Sequence, residues 1–230
     1  MGYSVEQLVS VAVTVLLVMA SAIVHEVAHG WVALRCGDPT AKEAGRLTLD
    51  PRAHLDGFGS VVLPLVMALL GGPVFAFARP VPYNPRRLRH PRRDELLVAL
   101  AGPAANLLQA GLGALVLRVA WEPLVRAALS GALPFDLAGW VVTILTTYVS
   151  VNLVLCFFNL IPLPPLDGSK VVLYFLTGEA RAAYYRLEQY AMPILIVALY
   201  VLPSLLRVDP VGAYLDATAG CLYELLLRGL

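Results

Sequence analysis

The stretch that decides how this chain is read is His25-Glu26-Val27-Ala28-His29, set inside an apolar run from about Gln7 to Leu34. On a helix, positions i and i+4 share a face, so His25 and His29 can grip one zinc ion while Glu26 borders the same face as a candidate base. The competing reading is two histidines and a glutamate packed on a helix face. Three ionisable groups within five residues of an apolar span are costly to bury, and such groups mark a function or a partner. The pattern is a hydrolase signature placed in lipid.

Composition agrees with that placement. Of 230 residues, 59% are hydrophobic and only 14% charged, and the mean hydropathy is +0.74. A soluble domain is nearer half apolar and a quarter charged. The chain is therefore expected to be an all-α polytopic membrane protein whose main environment is the lipid bilayer, forming one domain over residues 1–230. Its net charge of +1 gives no reason to expect a nucleic-acid partner. Cys36, Cys156 and Cys221 form no CxxC pair and read as packing residues. The N-terminal apolar run is too long for a signal-peptide core, so it is expected to remain as the first span.

That first span should stop at Cys36-Gly37-Asp38-Pro39. Arg46-Leu47-Thr48-Leu49-Asp50 then alternates as a short strand would, and an ordinary connecting hairpin is the simpler interpretation. A strand beside a membrane protease site could instead pair with an unwound substrate, which makes Leu47 and Leu49 candidate substrate contacts. His54 and Asp56 read as exposed loop residues. Phe58 to Phe77 is apolar but broken by Pro64 and Gly71-Gly72-Pro73, so it is expected to dip into the membrane and return.

A second definite span begins near Asp94 and ends near Trp121, carrying Ala101-Gly102-Pro103-Ala104-Ala105-Asn106. Its small residues permit close helix approach, and Asn106 needs a polar partner, either a neighbouring helix or a substrate. A third, from about Leu137 to Phe158, runs into Asn159-Leu160-Ile161-Pro162-Leu163-Pro164-Pro165-Leu166-Asp167-Gly168. Three prolines in four residues force the backbone open there. Irregular backbone at membrane depth must be buried in protein or line a wet cavity, which places Asp167 below the surface. Two further apolar runs, about Tyr190 to Leu206 and Val211 to Leu227, close the chain. Five to six transmembrane helices, one re-entrant segment and a small membrane-associated β-hairpin are expected in all.

Topology follows from parity. If Asp167 is to meet His25 and His29, the first span and the span before Asp167 must finish on the same side. The helix from Asp94 to Trp121 then runs the other way. This puts Arg79, Arg86, Arg87, Arg89, Arg92 and Arg93 on the side where the histidines lie, together with Arg35, Lys42, Arg46, Arg52, Lys170, Arg181, Arg186 and Arg228. Only Arg118, Arg126 and Arg207 fall opposite, and the positive-inside rule makes the fourteen-residue side cytoplasmic.

H-E-V-A-H in the first span, A-G-P-A-A-N ahead of the later core and N-L-I-P-L-P-P-L-D-G after it occur in the order found in the site-2 protease family of intramembrane zinc metalloproteases. The chain resembles a compact prokaryotic form of that family, without a PDZ insertion. The resemblance implies one Zn2+ per chain held by His25, His29 and Asp167, with Glu26 as catalytic acid/base and Asn159 positioning substrate or stabilising the oxyanion. It implies a catalytic core over about residues 7–177 followed by C-terminal helices over about 190–227. It also implies a transmembrane protein as substrate and a place in the prokaryotic inner membrane, with the site opening to the cytoplasm. Two other functions compete: a metal or proton transporter using the His/Glu/Asp cluster, and a zinc hydrolase of lipidated substrates. Paired inverted repeats would favour the transporter, and none is visible.

Overall fold

A computed structural model describes residues 4–55, 79–207 and 209–230. Helix α1 runs over Val5–Arg35 and opens with a capping box. The Ser4 hydroxyl accepts from the Gln7 N–H and the Gln7 side chain accepts from the Ser4 N–H. Two one-turn helices follow, α2 (Thr40–Glu43) and α3 (Pro51–His54). Next come the long helices α4 (Pro91–Leu129) and α5 (Phe135–Asn159), and then α6 (Asp167–Phe175) and α7 (Gly178–Glu188). The last part of the chain alternates short α-helical pieces with two π-helical turns, Val197–Val201 and Asp216–Gly220.

Three of these helices, α1, α4 and α5, are long and apolar enough to cross a membrane. A fourth span results only if α7 and the segment Ala191–Leu205, bent by 79°, count as one. The expectation of five to six spans is corrected to that extent among the described residues, and the re-entrant segment expected over Phe58 to Phe77 lies outside them. At about 1.5 Å per residue, α4 is some 58 Å long, well beyond a bilayer's hydrocarbon core. It continues through Pro123 to Leu129, past the end near Trp121 expected from the sequence.

The α1, α4 and α5 helices pack on one another. Ala110 and Ala114 of α4 meet Val149 and Leu153 of α5, and Ala219 of the C-terminal segment closes this cluster. Small residues let the backbones approach, which is how apolar helices gain contact where lipid offers no hydrophobic drive to associate. A second cluster of Ala33, Leu88 and Val98 ties the end of α1 to the start of α4.

The expected β-hairpin is not formed, and no strand occurs among the described residues. The reason is that side chains occupy the backbone groups a ladder would need. His54, fully buried where an exposed loop position was expected, places its Nε2 2.8 Å from the Thr48 carbonyl. The extended stretch Arg79–Asn84 has prolines at 80 and 82, which remove two alternate donors. The Arg79 N–H bonds to the His54 carbonyl at 2.8 Å and the Asn84 carbonyl accepts from the Arg87 N–H at 2.9 Å, and side chains take several of its other groups. Arg46, turned inward, donates to the carbonyls of Arg79 (2.6 Å) and Pro80 (3.4 Å). Glu26 accepts from the Val81 N–H at 2.7 Å, and Asp38 accepts from the Asn84 N–H at 2.5 Å.

Asp38 is thus the pin between the end of α1 and this stretch. Burial alone would raise its pKa. Hydrogen bonds from the Thr40 hydroxyl and from the Asn84 and Thr40 N–H groups, with the charge of Arg87, outweigh that and hold it below the usual carboxylate range. A carboxyl whose folded pKa is depressed contributes stability that is fully present above its unfolded value of about 3.9 and is lost as pH falls through the lower folded value. Asp38→Ala should lower thermal stability at pH 7 by about 1–3 kcal/mol per orphaned donor. The difference between wild type and variant should shrink on acidification through that window, which melting curves in detergent from pH 7 to 3 would show.

Candidate metal centre

Helix α1 presents His25 and His29 one turn apart, with their Nε2 atoms 3.0 Å from each other and the rings edge to face at 4.6 Å between centroids. The first residue of α6 completes the group. Asp167 Oδ2 lies 3.1 Å from His25 Nε2 and 3.3 Å from His29 Nε2. All three ligand-type atoms fall within 4.8 Å of one another. The parity condition read from the sequence is therefore met: α1 and α5 end on the same side, and the arginine-bearing segment before α4 joins them there, with the Arg89 N–H on the Cys36 carbonyl at 3.0 Å.

The protons on the imidazoles can be assigned from their outer partners. His29 Nδ1 is 2.6 Å from the Val98 carbonyl, which can only accept, so Nδ1 carries the hydrogen. His25 Nδ1 is 2.5 Å from Asn106 Oδ1, an acceptor as well. Both Nε2 atoms are left with lone pairs aimed at each other and at Asp167 Oδ2, which is buried and has no hydrogen-bond donor. Three lone pairs converging without a proton between them repel unless a cation sits among them. Two imidazoles and a carboxylate, each imidazole donating outward from its other nitrogen, form the donor set of a catalytic zinc site. The residues fit such an ion.

Close approach of the backbone makes this geometry possible at two glycines. A Cβ on Gly102 would overlap His25 and His29 at their ring atoms, and a Cβ on Gly168 would overlap the carbonyls of Leu160 and Ile161. Gly102 lets α4 lie directly against the imidazoles, and Gly168 lets the first turn of α6 nest on the chain leaving α5. The far end of α6 is clamped. Arg92 donates to the Tyr174 carbonyl through Nε (2.9 Å) and Nη2 (2.6 Å), and Arg181 donates to the Leu173 carbonyl at 2.7 Å.

Other residues singled out from the sequence are placed differently. Glu26 meets the Val81 N–H. Asn159, at the end of α5, donates to the Leu155 carbonyl of its own helix at 2.9 Å. Asn106 is fully buried beneath His25, Leu47 packs toward Gly30, and Leu49 is 63% exposed. Sequence reasoning missed Ser21 and Asn152, both fully buried, and the Val98 carbonyl. The two side chains were detectable as lone polar positions inside apolar spans; the carbonyl carries no sequence signal. A Gly102→Ala change should push the rings apart and leave far less than one metal ion per chain by elemental analysis, with helix content by circular dichroism retained.

The family model of Peptidase family M50 matches residues 13–202. Among curated proteins, the chain is 38% identical over 202 residues to YwhC of Bacillus subtilis, covering 87% of this chain and 82% of that one. It is 31% identical over 207 residues to Rip2 of Mycobacterium tuberculosis, covering 89% of this chain and 73% of that one. Both relatives carry names that class them as zinc metalloproteases. No solved structure matches the chain at a significant level. On the extent of the family match and of these likenesses, the chain belongs to peptidase family M50, the membrane-embedded site-2 protease family.

Proposed function

We propose that this protein is an intramembrane zinc metalloprotease that hydrolyses peptide bonds within or near transmembrane segments of membrane-protein substrates. One observation carries the reading. His25, His29 and Asp167 converge inside a bundle of apolar helices, with His25 ten residues before the end of α1, hence about 15 Å along the helix from that end. A hydrolytic site at such a depth faces substrates that share the membrane.

Zinc held by His25, His29 and Asp167 would supply Lewis acidity toward water and the scissile carbonyl. Glu26 would take the proton of the attacking water and return it to the leaving amine, a carboxylate's role in general acid–base catalysis. Its bond to the Val81 N–H sets the carboxylate against a fixed backbone donor. Asn159 ends the helix from which the chain opens toward Asp167, and its amide is the nearest candidate in sequence for stabilising the oxyanion. The cluster of arginines beside this end of the bundle supports a site that opens to the cytoplasm of a prokaryotic inner membrane.

A transmembrane helix hides its carbonyls in hydrogen bonds, so a substrate has to unwind before attack, and segments containing helix-breaking residues should be preferred. Purified wild type in liposomes should hold near one zinc per chain and cleave a model transmembrane substrate. Glu26→Gln should retain zinc and lose cleavage, and Asp167→Ala should lose zinc. Asn159→Ala should keep zinc and slow turnover by about 100-fold, the scale of removing one oxyanion donor. Cleavage of a lipidated peptide with none of any transmembrane segment would overturn the proposal in favour of the hydrolase reading.

A further inference from the structure

Beneath the metal centre lies a chain of buried side-chain amides that joins three helices. His25 Nδ1 meets Asn106 Oδ1 at 2.5 Å, Asn106 Nδ2 donates to Asn152 Oδ1 at 2.9 Å, and Asn152 Nδ2 donates to the Tyr148 carbonyl at 2.9 Å and to Ser21 Oγ at 3.0 Å. Asn106, Asn152 and Ser21 are fully buried. An amide can be turned end for end at little cost in shape, so what matters is what sets the direction of this chain. The Tyr148 carbonyl does. It can only accept, so Asn152 must turn its NH2 toward it and its oxygen toward Asn106. Asn106 must then offer its own NH2 to Asn152 and its oxygen to His25.

We propose that Asn106 and Asn152 form a directional relay that fixes His25 as the Nδ1–H tautomer, leaving Nε2 free to bind the metal. Both are positioning residues, and this gives Asn106 a role other than substrate contact. The inference rests on His25 being a metal ligand, as in the proposed function. His29 needs no such relay, because its Nδ1 already faces the Val98 carbonyl, whose direction cannot reverse. His25 faces an amide that presents an acceptor in one orientation and a donor in the other. The wrong orientation would move the proton to Nε2, where it blocks the ligand position. A satisfied polar network in a low-dielectric interior holds one arrangement firmly, and every polar atom of the two amides named above is engaged.

The relay makes a prediction that simple contact with His25 does not. Asn152 bonds to Asn106, Ser21 and the Tyr148 carbonyl and to neither histidine ring, yet Asn152→Leu removes the group that orients Asn106. Zinc affinity, measured by chelator competition in detergent, should fall about 10–100-fold in Asn152→Leu and in Asn106→Ala, the usual scale for outer-shell partners of a zinc ligand. In metal-free wild type labelled with 15N-histidine, the His25 resonances should show hydrogen on Nδ1, and in Asn152→Leu the Nε2–H form should grow. This spectroscopic reading on wild type stands even if a variant fails to fold. His25 found as the Nε2–H form in metal-free wild type would overturn the relay, as would unchanged zinc affinity in both Asn106→Ala and Asn152→Leu. In either case zinc bound by wild type would leave the proposed function intact, whereas no zinc binding by wild type would overturn both.

Discussion

Three lone pairs facing one another inside a bundle of apolar helices are the constraint on which this structure turns. His25 Nε2, His29 Nε2 and Asp167 Oδ2 lie about 3 Å apart with hydrogens directed away from the point where they meet. In water such an arrangement would relax by rotation or protonation. Here rotation is opposed by the partners behind each ring: the Val98 carbonyl for His29, and the relay of Asn106 and Asn152 for His25. The bundle's geometry is organised to hold donors for a cation that the protein's own atoms cannot replace.

Burying so many polar groups in an apolar setting is costly unless each finds a partner, since water does not supply one there. The fold meets this in two ways. Within the bundle, polar side chains bond to one another across α1, α4 and α5, as Ser21, Asn152, Asn106 and His25 do. At the end where α1 finishes, charged side chains serve irregular backbone. Arg46, Glu26 and Asp38 take up the groups of the Arg79–Asn84 stretch, and Arg92 and Arg181 cap the carbonyls at the end of α6. The stretch that would pair as a strand in another setting is held by three side chains drawn from α1 and from the loops on either side of α2. Glu26 takes part in that scaffold as well as lying beside the site.

Much of the site was legible in the order of residues. The i, i+4 spacing of His25 and His29 follows from helical geometry alone, and the proline run before Asp167 announced that helix α5 would end and the backbone open. The small residues of Ala101-Gly102-Pro103-Ala104-Ala105 announced close packing, although not that Gly102 would face the imidazoles. The hairpin expected from the alternation over Arg46 to Asp50 did not form, because period-two alternation reports which side chains could share a face and says nothing of whether a partner strand has free donors. Prolines at 80 and 82 and the inward turn of Arg46 removed that possibility. His54 was misjudged for a related reason: its burial depends on the Thr48 carbonyl six residues before it, a backbone group common to every residue type.

The sequence by itself determined that the chain is apolar enough to live in a membrane and which side chains have the chemistry of metal ligands, while it counted more spans than the three long helices that form among the described residues. The two properties it determined depend on composition and on spacing within one helix, where geometry is set by the repeat of the backbone. Only the tertiary structure decided that Asp167 meets the two histidines across 138 residues of chain from His29, that Glu26 rests on the Val81 N–H, and that a chain of amides orients His25. Those relations join different helices. Their distances are set by packing, by where a glycine admits a neighbour, and by which carbonyl happens to lie behind a ring.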